Sequence, residues 1–307
     1  MITLCKYNAQ METDYYDAVI DRVDQGIQNQ IMKECRTFFP KEVLDDTSTF
    51  KDLILMPYPK IKKAIKAINT KYHNDMKKTC FHELSEKNLV PRDHYKLLVS
   101  MYTKVAGDTS VGKSMRVRLV YSLGLTVCPY CNRDYINARG GKVSGAQLDH
   151  FYNKDSYPFL SLSLYNLIPV CGNCNRVKSK KKGPFASVFD TDIDFDSSLT
   201  FDYNDEVTEI QLNIADGRVE LSNNIREMKI KEAYQLHTTE VKELLELENA
   251  YKETQLWEIR NTLGAVRISD EQIKRIIFGP RIEEKDIRKK PLGKMMKDLH
   301  KKLKIYS

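Results

Sequence analysis

Hydrophobic residues recur at helical spacing through the first part of the chain. "PRDHYKLLVSMYTKVAG" opens on Pro91 and sets Leu97, Leu98, Met101, Tyr102 and Val105 on one face before Gly107, which predicts a helix with a proline start and a glycine stop. "SVGKSMRVRLVYSLG" repeats the plan, with Met115, Leu119, Val120 and Leu123 on one face and Gly124 beyond them. From Leu125 to about Lys182 the period changes. "DYINARG" and "KVSGAQLDHFY" are strand-like runs on either side of Gly140-Gly141, and they predict a hairpin followed by a loop and a short helix through "SLSLYNLIP".

Alternation returns from about Leu199 to Leu221, with Asp216-Gly217 as the turn of a second small hairpin. Ile225 to about Leu263 reads as a long charged amphipathic helix or helical pair. Ser269 as cap and Gly279 as stop bound another helix, and "PLGKMMKDLHKKLKIY" predicts a last one. These elements add up to an α+β fold in three parts: a helical region over 1–124, a central module over 125–185, and a small hairpin plus helices over 186–307.

Composition narrows the class. Of 307 residues, 41% are apolar and 30% charged, the balance of a water-soluble globular protein. No apolar run approaches the ~18 residues of a membrane span. "MITLCKYNAQMETDYYD" lacks a basic stretch followed by an apolar one, so no signal peptide is expected. The expected setting is cytoplasmic and reducing, where cysteines bind metal more often than they pair as disulfides. The net charge of +7 is unevenly spread. Basic residues gather at Arg176–Lys182 and Arg281–Lys304, and acidic ones at Asp190–Asp205, which points to a polyanionic partner on one face.

"GDTSVGKS" (Gly107–Ser114) fits the phosphate-cradling pattern G-x-x-x-x-G-K-[ST]. That motif needs a buried strand before it, and here the preceding residues have helical spacing. No run of βα units follows to build a nucleotide-binding sheet. The glycines are expected to make a helix-to-helix turn, and an ATP-driven enzyme is the weakest of three functional readings.

Cys128-Pro-Tyr-Cys131 and Cys171-Gly-Asn-Cys174 are two Cys-x-x-Cys knuckles. Each directs two thiolates to one point, and together they complete a closed tetrahedral Zn²⁺ site of the structural kind. Cys5, Cys35 and Cys80 are scattered and read as ordinary thiols. His73, His82, His94, His237 and His300 stand alone and read as structural or surface residues. Between the knuckles lie Asp149-His150, at the end of the second strand-like run, and Asn166. Asn175 follows the last cysteine.

"CPYCNRDY…LDHFYNKDSYPFLSLSLYNLIPVCGNCNRVKSK" closely resembles the HNH (ββα-metal) nucleases stapled by four cysteines, through the pattern Cys-x-x-Cys, Asp-His, Asn-Leu-x-Pro-x-Cys-x-x-Cys-Asn, Lys. The resemblance implies a DNA endonuclease with structural Zn²⁺ and a catalytic Mg²⁺ or Mn²⁺. His150 would be the general base, Asp149 and Asn175 would hold the catalytic cation, and Asn166 would orient the loop or the imidazole. Asn175 stands where the family often has histidine; an amide oxygen suits Mg²⁺ better than Zn²⁺. Adjacent strand residues point to opposite sides, so Asp149 and His150 must sit at a strand's frayed end or on a bulge to serve one site.

Arg176 and Lys178 are expected to reach phosphate oxygens, and Lys180–Lys182 to add salt-dependent affinity. RNA is a possible substrate beside DNA, because such a core grips mainly phosphate. The flanks "GPFASVFDTDIDF" and "IIFGPRIEEKDIRKKPLGKMMKDL" resemble larger HNH proteins of bacterial anti-phage systems, Septu and its retron-associated relatives, which implies an ATPase partner subunit. The competing class is a non-catalytic zinc module that binds DNA or protein, with Asp149, His150 and Asn175 as caps and surface polar groups.

Overall fold

A computed structural model describes residues 1–71, 93–110, 112–179, 181, 183–204, 209–263 and 268–306. Pro91, His73, His82, Cys80, Lys180 and Lys182 lie outside the described residues. The N-terminal part is helical: α1 (Ala9–Ile20), α2 (Gln25–Phe38), α3 (Phe50–Ile54), α4 (Tyr58–Lys71), α5 (Asp93–Ala106) and α6 (Met115–Ser122). Local chemistry sets the starts. Asn8 Oδ1 accepts from Met11 N at 2.8 Å and Asp24 Oδ1 from Ile27 N at 3.0 Å, while Ser114 caps α6 by accepting from Val117 N. α5 and α6 are the two helices expected from the apolar spacing, and Gly107 follows α5 directly.

The Gly107–Ser114 link joins α5 to α6, and some of its amides are engaged within the chain, Gly112 N with Thr109 O at 2.8 Å and Ser114 N with Gly141 O at 2.9 Å. A helix, not a strand, precedes it, as a helix-to-helix turn requires.

The central segment departs from the expected strand pairing. β1 (Gln147–His150) pairs antiparallel with β2 (Leu167–Val170), in the register Gln147↔Val170 to His150↔Leu167. "DYINARG" forms only isolated bridges, Val127↔Tyr135 and Arg139↔Val143, so Gly140-Gly141 turns a minimal loop and not the main hairpin. The expected short helix shrinks to a 3₁₀ turn at Leu164–Asn166, after which "LIPV" is a fully buried strand. Pro169 is tolerated because the sheet has only two strands and each is an edge. α7 (Gly172–Lys178) follows at once and packs on β1. Strand, strand and helix thus form one compact unit.

Beyond it come α8 (Phe195–Ser198), β3 (Leu199–Asn204) and β4 (Glu209–Ile214). β3 and β4 pair antiparallel, from Leu199↔Ile214 to Asn204↔Glu209, so Asp216-Gly217 is not the turn between paired strands; it follows β4 and leads into a helix. The expected long helix is broken into α9 (Val219–Glu227), α10 (Ile230–Tyr234), α11 (Thr238–Ala250) and α12 (Glu253–Thr262). Lys229, at φ +55°, makes the first break. α13 (Asp270–Phe278) starts on a reciprocal Ser269–Gln272 capping box and stops at Gly279, φ +81°, as the sequence predicts. α14 (Glu284–Ile287) and α15 (Gly293–Lys302) complete the described chain, and none of the described helices is long and apolar enough to cross a membrane.

One buried apolar cluster takes in residues from Met1 to Ile305 and joins all three parts of the chain. The acidic and basic stretches also meet each other. Lys294, 2% exposed, pairs with Asp298 at 2.6 Å and Asp196 at 3.1 Å; Lys297 pairs with Asp196 at 2.6 Å, and Lys302 with Asp202. Lys294, Lys297 and Lys302 therefore help to dock α15 on α8 and β3.

Candidate functional site

The four knuckle cysteines converge in the core. Cys128, Cys131, Cys171 and Cys174 are all buried, and their sulfurs all lie within 4.8 Å of one another. Cys131 Sγ and Cys171 Sγ are 4.0 Å apart. Tetrahedral Zn²⁺ with bonds of ~2.3 Å needs sulfurs about 3.8 Å apart, so the residues present fit the ion. Backbone N–H groups point at two sulfurs, Arg133 N at Cys131 and Cys174 N at Cys171, each at 3.4 Å, an arrangement that favours thiolates. Without a cation, burial pushes the Cys128 thiol up. The cluster can hold a zinc ion with no position left open for substrate.

The first knuckle is tied to the far end of the chain. Asn132, wholly buried and at φ +53°, donates to Ile287 O at 2.8 Å and accepts from Lys294 N at 2.8 Å. Asparagine is among the few residues that adopt this left-handed conformation readily. Tyr234 donates its hydroxyl to Cys131 O at 2.6 Å. Among the described residues, the thiols outside the cluster are Cys35, which is buried, and Cys5, which is exposed.

A cleft of about 520 Å³ opens beside the strand–strand–helix unit, lined in part by Asp149, His150 and Asn175. The structure therefore brings together three of the four residues singled out for chemistry. His150 is the last residue of β1, the strand-end position that lets it share a site with Asp149. Its Nε2 lies 3.0 Å from Ser161 O. A carbonyl only accepts, so Nε2 carries the proton and Nδ1 holds the free lone pair. Burial pushes the His150 pKa down to about 4, which keeps the ring neutral at pH 7.

Asn166 is not in the cleft wall. Buried at 1% exposure, it accepts from Tyr152 N at 2.8 Å and donates to Tyr152 O at 3.0 Å and Leu160 O at 3.1 Å. It braces the loop that ends at Ser161, the partner of His150, and so acts on the imidazole at one remove. Asn175 donates to Gln147 Oε1 at 2.7 Å, and among the described residues its amide oxygen accepts no hydrogen bond. Arg176 is exposed, with Nη2 2.9 Å from Asn173 Oδ1.

Lys178 is placed differently from a surface phosphate contact. It is 2% exposed, and its ammonium donates to Asp149 Oδ1 at 3.0 Å and His150 O at 3.0 Å, with Asp149 Oδ2 at 2.9 Å. Tyr130 adds a hydroxyl donor to Asp149 Oδ2 at 2.7 Å. The Asp149 charge is thus matched inside the fold: Oδ2 has two donors, and Oδ1, with Lys178 alone, keeps a lone pair.

The cleft also holds residues that the sequence did not single out for it: Tyr102, Arg116, Gln147 and Lys154. Gln147 was open to discovery, because it lies two residues before Asp149 and so on the same face of β1. Compared with known protein families, with curated proteins and with solved structures, the chain matches none.

Proposed function

We propose that this chain is a metal-dependent endonuclease of the HNH type that hydrolyses phosphodiester bonds of DNA. The observation that carries the reading is one cleft in which a neutral histidine with a free Nδ1, a carboxylate and an uncommitted amide oxygen come together at the end of a cysteine-stapled strand–strand–helix unit. Nδ1 of His150 takes the proton of the attacking water, and the Ser161 carbonyl holds the Nε2 proton and steadies the charged ring. Asp149 and Asn175 offer hard oxygen donors that suit Mg²⁺ or Mn²⁺, which would neutralise charge on the phosphate. Water adds to phosphorus as the bond to the 3′ oxygen breaks, and the products are a 3′-hydroxyl and a 5′-phosphate.

The resemblance of the flanks supports a role as an effector in bacterial anti-phage defence. An ATPase partner fits this role, since a helix and not the buried strand of a phosphate-binding loop precedes the Gly107–Ser114 turn. The second reading, a non-catalytic zinc-dependent binding module, draws on the Asp149–Lys178 pair, which gives both residues a structural use. Plasmid cleavage separates the two: wild type nicks DNA with Mg²⁺ and not with EDTA, and His150→Ala does not. Wild-type DNA binding with no cleavage, with or without an ATPase partner, would favour the binding module.

A further inference from the structure

The cleft has walls from outside the strand–strand–helix unit. Tyr102 comes from α5 and Arg116 from α6, both in the N-terminal helical part. Tyr102 is fixed there: its hydroxyl donates to Leu148 O at 3.0 Å and its ring meets the His150 ring edge-on, centroids 4.5 Å apart. The Lys154 ammonium lies 5.3 Å from the centre of the same ring.

Arg116 stands out by what it lacks. Its Nε is buried and has no hydrogen-bond partner, and among the described residues no carboxylate pairs with its guanidinium. Two residues along α6, Arg118 pairs with Asp14, and Arg22 pairs with Asp108 at 2.6 Å. Arg116 is half-buried on the cleft wall, so its terminal N–H groups can reach an anion in the cleft, and a fork of N–H donors without an anion matches a phosphate. Asp149 does not fill the gap: its hydrogen bonds go to Lys178 and Tyr130, and none goes to Arg116.

We propose that Arg116 is a substrate-gripping residue: its guanidinium binds a backbone phosphate of nucleic acid and positions it against His150. The cleft is then a composite of two parts of the chain, and the helical N-terminal region contributes directly to substrate binding. This rests on the nuclease reading for the identity of the polyanion, but its test does not need cleavage.

The test is binding of a labelled DNA duplex to full-length His150→Ala protein, with Ca²⁺ in place of Mg²⁺, over a salt series. Arg116→Gln in that background should weaken binding on the order of 10- to 100-fold and reduce the slope of log K against log salt by about one. Arg116→Lys should keep the slope and lose most of the affinity, because an ammonium cannot make the forked contact. Melting should be little changed in Arg116→Gln, since among the described residues no carboxylate pairs with its guanidinium. A lower melting temperature with an unaltered salt slope would show a structural arginine and overturn the proposal, as would a parent protein that binds no DNA. Loss of binding in Arg116→Gln alongside a wild type that never cleaves would uphold the phosphate grip and reject the nuclease reading.

Discussion

Lys178→Met tests how Asp149 is held. Methionine keeps most of the lysine stem's volume, so the change removes a charge without opening a large cavity. Both partners are nearly closed to solvent, at 2% and 4% side-chain exposure, and the ammonium has three acceptor oxygens within 3.0 Å. Breaking one side of such a pair strands the other charge and costs roughly 3–5 kcal/mol. For a chain of this size that is a fall in melting temperature of roughly 6–10 °C. Urea unfolding of wild type, Lys178→Met, Asp149→Asn and the double variant measures it as a cycle. The double variant should be more stable than Lys178→Met alone, because the stranded carboxylate is gone. Added Mg²⁺ should raise the stability of Lys178→Met more than that of wild type, since the cation can take the ammonium's place on Asp149. A loss below about 1 kcal/mol, additive with Asp149→Asn, would refute the reasoning.

Three other expectations follow from the same contacts. Metal analysis should find about one zinc per chain, and Cys174→Ser or a strong chelator should unfold the central unit, seen as loss of the cooperative melt. Asn132→Ala removes hydrogen bonds to Ile287 O and Lys294 N and a residue suited to φ +53°, and should cost about 2–4 kcal/mol in denaturant unfolding; a neutral result would detach the knuckle from the C-terminal helices. His300 is 4% exposed with neither ring nitrogen partnered, and burial lowers its pKa from 6.5 to about 4. The folded state holds it neutral while the unfolded chain protonates it near 6.5. Its contribution to stability is therefore full above pH 6.5 and falls as pH drops towards 4, by up to about 3 kcal/mol. His300→Phe should flatten that part of the stability curve, and an unchanged slope would assign it to other groups.

The four-cysteine cluster and the Asp149–His150–Asn175 grouping were legible in the sequence because their signals are local spacings of chemically distinctive residues. The strand pairing was not. "DYINARG" and "LIPV" are both short, and register depends on which partner completes the buried face. Lys178 looked like one cation in a basic run, yet it lies four residues after buried Cys174 and so on the inward face of α7. That spacing was readable. Tyr102 and Arg116 had no local signal, because they reach the cleft only through the packing of α5 and α6 on the central unit.

Single-turnover cleavage of DNA by His150→Ala, with and without added imidazole, tests the central claim most directly. The account predicts a rate about 10²- to 10⁴-fold below wild type in Mg²⁺, partly restored by imidazole as a substitute base, and no cleavage by either protein in EDTA. Cleavage by His150→Ala at the wild-type rate, or cleavage that persists in EDTA, would contradict it.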